Sequence, residues 1–286
     1  MMTRFRKELR IALIGFGAIA EEMVRCLEIS RDRAVLLGVL ELPQRMHEAQ
    51  NKAAGRFKVV DRLDALIALG PDLVIECAGH DGLKQFGPDV LAHGIDLMTA
   101  SVGALADQDF AARIAGAARG GAQIWIPSGA VAGLDGLLAA RTAGLQRVLY
   151  TSIKPPIAWD GTPAENLLTG PARRERTVFF EGSAREAAIQ YPQNANVAAA
   201  VAFAGIGLDS TRVKLVSDPA LEGPLGVIEA DGEFGTFRFE ILAYASPLNP
   251  KTSVLAAHSM VMALREGICF SALPMLAESR ASTANS

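Results

Sequence analysis

Arg10-Ile-Ala-Leu-Ile-Gly15-Phe-Gly17-Ala-Ile-Ala20, followed by Glu21-Glu-Met-Val-Arg-Cys-Leu27, is the stretch whose reading decides the fold. A short apolar run, Ile11 to Ile14, breaks into Gly-x-Gly-x-x-Ala and then into residues at helical period, which reads as strand, tight turn and helix. Gly15 allows the turn. Gly17 has no Cβ to hold a pyrophosphate away from the backbone, Ala20 lets the helix pack close on the strand, and the helix N-terminus offers free N–H groups to phosphate. Phe16, Ala18 and Ile19 complete this cofactor loop. A second apolar run, Ala34-Val-Leu-Leu-Gly-Val-Leu40, ends in Glu41, about twenty residues on, where an acid grips a ribose 2′-hydroxyl. The stretch predicts a dinucleotide-binding protein.

Composition narrows the class. The 286 residues suffice for two domains, and with half of them hydrophobic and 21% charged a sizeable core is easily built. A net charge of −3 gives no sign of nucleic acid or an anionic membrane as partner. The three cysteines, Cys26, Cys77 and Cys269, are odd in number and widely spaced, which fits reduced thiols in a cytoplasmic protein better than a disulfide framework. Met1 to Arg10 is charged and has no apolar h-region, so no signal peptide is expected. No apolar run approaches the ~20 residues of a membrane span. His47, His80, His93 and His258 share no ligand spacing, so no metal site is expected and the chemistry falls to a bound cofactor.

Along residues 1–127 strand and helix alternate: strands at Lys58–Val60, Asp72–Cys77, Ile95–Thr99 and Gln123–Pro127 follow the first two, with helices between them, one of them capped by Asp61. Six strands separated by helices predict an α/β fold, a Rossmann-type doubly wound parallel sheet. From Leu145 the strands lengthen and alternate, at Arg147–Ile153, Arg212–Val216, Val227–Ala230 and Thr236–Ala243, with helices at Ser183–Gln190 and Val197–Ala204. Residues 128–252 are therefore expected to form a second α+β domain with an antiparallel sheet, for substrate and dimer contacts. Residues 253–270 are expected to pack a C-terminal helix back on the core, and 271–286 to form a flexible tail.

In a doubly wound sheet ligands lie over the carboxyl ends of the strands. The turns there read Gly15 to Ala20, Glu41, Ala78-Gly79-His80, Ser101-Val-Gly103 and Ser128-Gly-Ala130, dominated by the small residues that close approach of a flat cofactor needs. Glu41 repels a 2′-phosphate and favours NAD, while nearby Arg45 keeps NADP use open. Asn196 opens a helix, either as its N-cap or as a hydrogen-bonding partner of a carboxamide or carboxylate. Asn249-Pro-Lys251-Thr-Ser253 sets a lysine and hydroxyls beside a helix start, a seat for an acidic substrate or a plain cap.

These pieces together resemble the L-aspartate dehydrogenase family of the quinolinate-pathway type. The matching residues are Gly15 to Ala20, Glu76-Cys-Ala-Gly79, Ser101-Val-Gly-Ala-Leu-Ala-Asp107, Pro127-Ser-Gly-Ala130 with Gly133-Leu-Asp135, Glu181-Gly-Ser183, Pro192-x-Asn194-x-Asn196-Val-Ala198, Asp218-Pro219 and Asn249-Pro-Lys-Thr-Ser253. The resemblance implies oxidation of L-aspartate by NAD(P)⁺ to iminoaspartate, which feeds NAD biosynthesis or hydrolyses to oxaloacetate and ammonia. It implies a homodimer built through the second domain, and cofactor contacts at Ala130 and Asn196. One departure stands out. After Asp-Pro the family pattern reaches an Asn and, two residues later, a catalytic histidine; here Pro224 and Gly226 occupy those places.

His80, beside the cofactor turn, and Lys251, facing a substrate carboxylate, are the candidate catalytic residues left, with Arg173 or Arg174 as further carboxylate binders and His93 and His258 as packing histidines. Gly226 also leaves two other readings open: a related oxidoreductase acting on a different amino or hydroxy acid, or a dinucleotide-binding protein without catalysis.

Overall fold

The structure, a computed structural model, describes residues 8–30, 34–118, 120–192, 194–246 and 249–276, with the side chains of residues 30 and 245–252 outside the description. The chain divides into two compact units. The first begins with β1 (Leu9–Ile14), α1 (Ala18–Ser30), β2 (Ala34–Leu40), α2 (Met46–Ala53), β3 (Lys58–Val60), α3 (Leu63–Ile67), β4 (Leu73–Glu76), α4 (His80–Ala92), β5 (Asp96–Thr99), α5 (Gln108–Ala117) and β6 (Ile124–Pro127). Its parallel strands lie in the order β3-β2-β1-β4-β5-β6, the doubly wound arrangement the alternating pattern predicts. Central strands here are apolar on both faces because helices cover both; Ile11, Leu13, Leu73 and Ile75 are fully buried.

Register decides where function sits. Ile14 pairs with Leu40 on one side and Glu76 on the other, and Glu76 pairs with Thr99. Four strands thus end level, and Gly15, Glu41, Ala78 and Ser101 leave the sheet along one edge. Asp61, expected to cap α3, does not: Arg62 is the cap residue and no side chain accepts there.

The second unit holds Val102–Asp107, with a 3₁₀ segment at Val102–Ala106, then α6 (Leu134–Arg141), β7 (Leu145–Lys154), β8 (Thr177–Ser183), α7 (Ala184–Gln190), α8 (Asn196–Ala204), β9 (Arg212–Ser217), β10 (Leu225–Gly232), β11 (Gly235–Leu242), β12 (Ala245–Ser246) and β13 (Asn249–Ser253). Its sheet runs β11-β10-β7-β9-β8. The sheet is mostly antiparallel, as expected, with one parallel pair. β7 and β9 run parallel, because the chain between them makes a long excursion through β8, α7 and α8, as a parallel crossover requires. The hairpin at Asp231 to Gly235 is tight, with Gly232 opposite Gly235. Tyr150 pairs with Ile228 and Val213, and Ile228 with Phe239, so these residues share one face. α8 lies on that face: a Cβ on Gly205, at its end, would touch Val148 at 3.2 Å. Ser183 and Glu186 close a reciprocal capping box at the start of α7.

The chain then returns to the first unit in α9 (Val254–Glu266) and β14 (Cys269–Ser271). Met260, Val261 and Ala263 of α9 join Ile11, Leu13 and Met23 in one buried cluster. β14 pairs antiparallel with β6, so Ser271, expected to begin a frayed tail, is an edge-strand residue held by Trp125. Residues 277–286 of that expected tail lie outside the described residues.

Gly133 carries a directly testable constraint. Its φ is +85°, and a Cβ there would come within 2.1 Å of the Phe239 ring. Gly133→Ala combines a left-handed backbone with overpacking, an expected loss of about 3 kcal/mol in urea unfolding. A loss below about 1 kcal/mol would show that ring and turn adjust freely.

Candidate functional site

At the strand edge of the first unit a tight glycine turn borders open space. Gly15 has φ +83°, and a Cβ on it would sit 2.8 Å from Ala78. Its N–H donates to Leu40 O at 2.8 Å, which ties the turn to β2. Gly17 has no atom within 4 Å of an added Cβ, so the space above it is open. α1 starts at the next residue, with its first N–H groups free of helical partners. An open glycine before a helix N-terminus fits a pyrophosphate, and the loop residues Gly15, Phe16, Gly17, Ala18, Ile19 and Ala20 would hold it.

Glu41 is held by backbone donors. It is 5% exposed. Its Oε2 accepts the Phe16 N–H at 2.9 Å and its Oε1 the Leu42 N–H at 2.8 Å, so the carboxylate fastens the glycine loop to the end of β2. Arg45 Nη1 stands 3.7 Å from Glu41 Oε2, half-exposed.

The residue that sequence reasoning leaves unassigned is Glu76, the last of β4 and fully buried. Its Oε1 accepts the N–H groups of Ala78 at 2.7 Å and Gly79 at 2.8 Å and the Ser101 hydroxyl at 3.1 Å. Its Oε2 accepts the Thr99 hydroxyl at 2.6 Å, and Thr99 Oγ1 in turn accepts the Ser101 N–H at 2.9 Å. One carboxylate therefore fixes both turns that carry the expected cofactor residues Ala78, Gly79 and Ser101. Burial pushes its pKa up, against the pull of the four donors. The signal for it is a lone acid closing an apolar strand, Leu73-Val-Ile-Glu76. His80 begins α4 directly after Gly79, whose φ is +98°.

The other histidines are placed apart. His93 ends α4, its Nδ1 2.7 Å from Asp89 O. His258 on α9 is half-exposed, with Nε2 3.4 Å from Glu22 Oε1 and Nδ1 3.8 Å from Cys26 Sγ. This trio, the one group of metal-ligand type among the described residues, spans positions too far apart for spacing to reveal. Arg25 already holds both Glu22 oxygens, at 2.9 and 2.6 Å.

In the second unit, polar groups gather where α8 begins. Asn196 is not the N-cap; Ala195 is, with no side-chain bond. Asn196 Oδ1 instead accepts the Gly103 N–H at 2.9 Å, tying the 3₁₀ segment to α8. Beside it Asn194 Oδ1 accepts from Lys154 Nζ at 2.7 Å, and Nζ lies 5.2 Å from the centroid of the Trp159 ring. Ala130 is half-buried in the loop before α6, and a Cβ on its neighbour Gly129 would reach Val197 of α8 at 4.0 Å. Gly226 pairs with Ser152, and a Cβ there would meet the Tyr150 hydroxyl at 3.3 Å, so a buried phenol fills the space a side chain at 226 would take. Burial pushes that phenol up to about 12.

Lys251 lies on β13, with its side chain outside the described residues. Arg173 is not available as a carboxylate binder, because Asp160 holds it through two bonds at 2.8 and 3.1 Å. Ser253 Oγ accepts the Leu255 N–H at 3.2 Å, so the capping reading of that segment holds for Ser253. Lys154 and Tyr150 escape sequence reasoning because alternation alone makes each an ordinary strand residue.

Glu76 yields a graded expectation. Glu76→Ala takes the acceptor from four donors, two of them the buried hydroxyls of Thr99 and Ser101, and should lower the unfolding free energy by about 3 kcal/mol. Glu76→Gln keeps one acceptor oxygen, and the Thr99 hydroxyl can turn to accept from the amide, so its loss in urea unfolding should be less than half as large. Equal losses would show that charge, not acceptor geometry, holds the turns.

Comparison with known proteins agrees with the two units. Residues 15–127 match the family model described as homoserine dehydrogenase, NAD binding domain, and residues 135–267 the model described as aspartate dehydrogenase, C-terminal. The chain is 44% identical over 261 residues to the L-aspartate dehydrogenase of Cupriavidus taiwanensis, covering 90% of this chain and 96% of that one. It is 44% identical over 258 residues to that of Ruegeria pomeroyi, covering 90% and 92%. The crystal structure of aspartate dehydrogenase from Thermotoga maritima shares the fold, with a TM-score of 0.68 at 22% identity over 91% of this chain and 97% of that one. A nicotinamide-dinucleotide-binding unit of this shape, continued by a second unit matching over nearly its full length, places the chain in the aspartate dehydrogenase family.

Proposed function

We propose that the chain is an NAD(P)-dependent L-aspartate dehydrogenase that oxidises L-aspartate to iminoaspartate, which hydrolyses to oxaloacetate and ammonia or enters NAD biosynthesis. The observation that carries this reading is identity of 44% over nine-tenths of the chain to relatives named for that activity. The open glycine loop supports the cofactor class. When bound, the nicotinamide takes up the hydrogen and two electrons removed from the substrate carbon. The residues of the first unit serve to position it. The loop from Gly15 to Ala20 seats the pyrophosphate, and Glu76 keeps Ala78, Gly79, Ser101 and, through the same turn, His80 in place. Asn196 and Ala130 are proposed cofactor contacts of the second unit, and Lys251 a binder of a substrate carboxylate. A cytoplasmic homodimer assembled through the second unit belongs to the same proposal; no described helix is long and apolar enough to cross a membrane.

Gly226 favours a second reading, in which the substrate is another amino or hydroxy acid, since this position carries no imidazole and its nearest side chain is the Tyr150 phenol. Assay of purified protein with L-aspartate and either NAD⁺ or NADP⁺, against a panel of amino and hydroxy acids, separates the two. Turnover of another acid in preference to L-aspartate sinks the first.

Two substitutions test the cofactor assignment. Gly17→Ala meets no atom in the folded chain, so its stability should stay within about 0.5 kcal/mol of the parent. Its dinucleotide affinity should nonetheless fall about tenfold or more, because the methyl stands where the pyrophosphate approaches. Unchanged affinity by calorimetry would remove the phosphate from that loop. The second concerns Arg45. With Glu41 committed to two backbone N–H groups, the half-exposed Arg45 is the group able to meet a 2′-phosphate. Arg45→Ala should raise the KM for NADP⁺ about tenfold and leave that for NAD⁺ within about twofold. Equal effects on both would discard this role.

A further inference from the structure

We propose that Lys154 is the proton-transferring catalytic residue of this chain, taking the proton from the substrate ammonium before the carbon is oxidised. This rests on the dehydrogenase reading above and names the group that reading leaves open.

Lys154 ends β7, two residues beyond Ser152, the cross-strand partner of Gly226, so it lies on the same sheet face as position 226 and diagonal to it. That face carries Tyr150 and Ser152, and the phenol of Tyr150 is too basic to exchange protons near neutrality. Lys154 Nζ donates to Asn194 at 2.7 Å and faces the Trp159 ring, while no carboxylate among the described residues pairs with it. The charged groups on the neighbouring elements are engaged elsewhere. Asp218 takes the Ala220 N–H at 3.0 Å and lies 3.7 Å from Arg176, and Asp160 is held by Arg173. Tyr191, on the loop after α7, has its phenol raised by burial. The hydroxyl of Ser217, the register partner of Lys154, is buried with no hydrogen-bond partner. A half-buried ammonium without an anion is poised to be neutral, and its pKa falls from the usual lysine range to about 8.

The step balances simply. One N–H bond of the substrate ammonium breaks and an Nζ–H bond forms, leaving a neutral amine. The C–H bond then gives its hydrogen and both electrons to the nicotinamide of NAD(P)⁺, so the substrate is oxidised by two electrons and the cofactor reduced. Lys154, partly exposed, returns its proton to water. Asn194 holds Nζ throughout.

The test is Lys154→Met in the full-length protein with L-aspartate and NAD⁺. The kcat should fall about 10²- to 10³-fold, with the KM for NAD⁺ within about twofold and the rise of kcat through pH 8 abolished. Ethylamine added to the assay should restore part of the rate. A variant that keeps the rise through pH 8, or whose loss ethylamine does not relieve, overturns the proposal. Should the variant not fold, the wild-type enzyme carrying ¹³C-methylated lysines decides by NMR. A Lys154 signal titrating near pH 8, shifted by a bound dicarboxylate, supports the assignment; one titrating above 10 overturns it. Failure of the wild-type enzyme to oxidise L-aspartate sinks the dehydrogenase reading instead, and the lysine titration still decides the protonation claim.

Discussion

A carboxylate buried with four donors, and with no cation paired to it among the described residues, organises the first unit. Glu76 draws the N–H groups of Ala78 and Gly79 and the hydroxyls of Thr99 and Ser101 onto two oxygens, and so converts two flexible strand ends into one rigid ledge. The cost of desolvating such a group is several kcal/mol, offset only when its lone pairs are taken up. Level strand ends make this possible, since Glu76 and Thr99 sit opposite one another in the parallel register. The glycine loop depends on the ledge in turn, because a Cβ on Gly15 would strike Ala78, the residue Glu76 holds.

The second unit works the other way. Lys154 is a cation with an amide and a ring for neighbours, and no described carboxylate neutralises it. Glu76 gains donors enough to stay in place and act as scaffold, whereas Lys154 keeps capacity for a further partner. Both departures from a quiet apolar interior occur at strand ends, where side chains pass from packed layers to openings. Asn196 follows the same logic by giving its oxygen to Gly103 rather than to its own helix.

Much of this architecture was legible in the sequence, for physical reasons. The six parallel strands announce themselves because a strand buried on both faces must be apolar throughout, and Gly15 because few other residues fit its backbone. The β10–β11 hairpin reads through alternation and its glycines. The parallel pairing of β7 with β9 does not read, because the intervening β8, Thr177-Val-Phe-Phe-Glu-Gly-Ser183, had to be recognised first. Glu41 was legible as an acid at the right place but not as one committed to backbone N–H groups, since hydrogen-bond partners 25 residues apart leave no local pattern. Lys154 and Tyr150 gain their character only from the strands beside them.

The return of α9 and β14 to the first unit has a temporal consequence. Met260, Val261 and Ala263 complete a cluster whose other members lie among the earliest residues, and Cys269 to Ser271 form an outer strand of the same sheet. A ribosome delivers those pieces only after the whole of the second unit. The nascent Rossmann half must therefore wait, with an apolar hollow uncovered and one edge of its sheet open, until the second unit has emerged. The other unit, Val102–Asp107 with Ser128–Ala256, takes in no residue beyond Ala256 and has no comparable delay. Order of synthesis and order of consolidation run in opposite directions here, and chaperone demand should concentrate on the part that is made first.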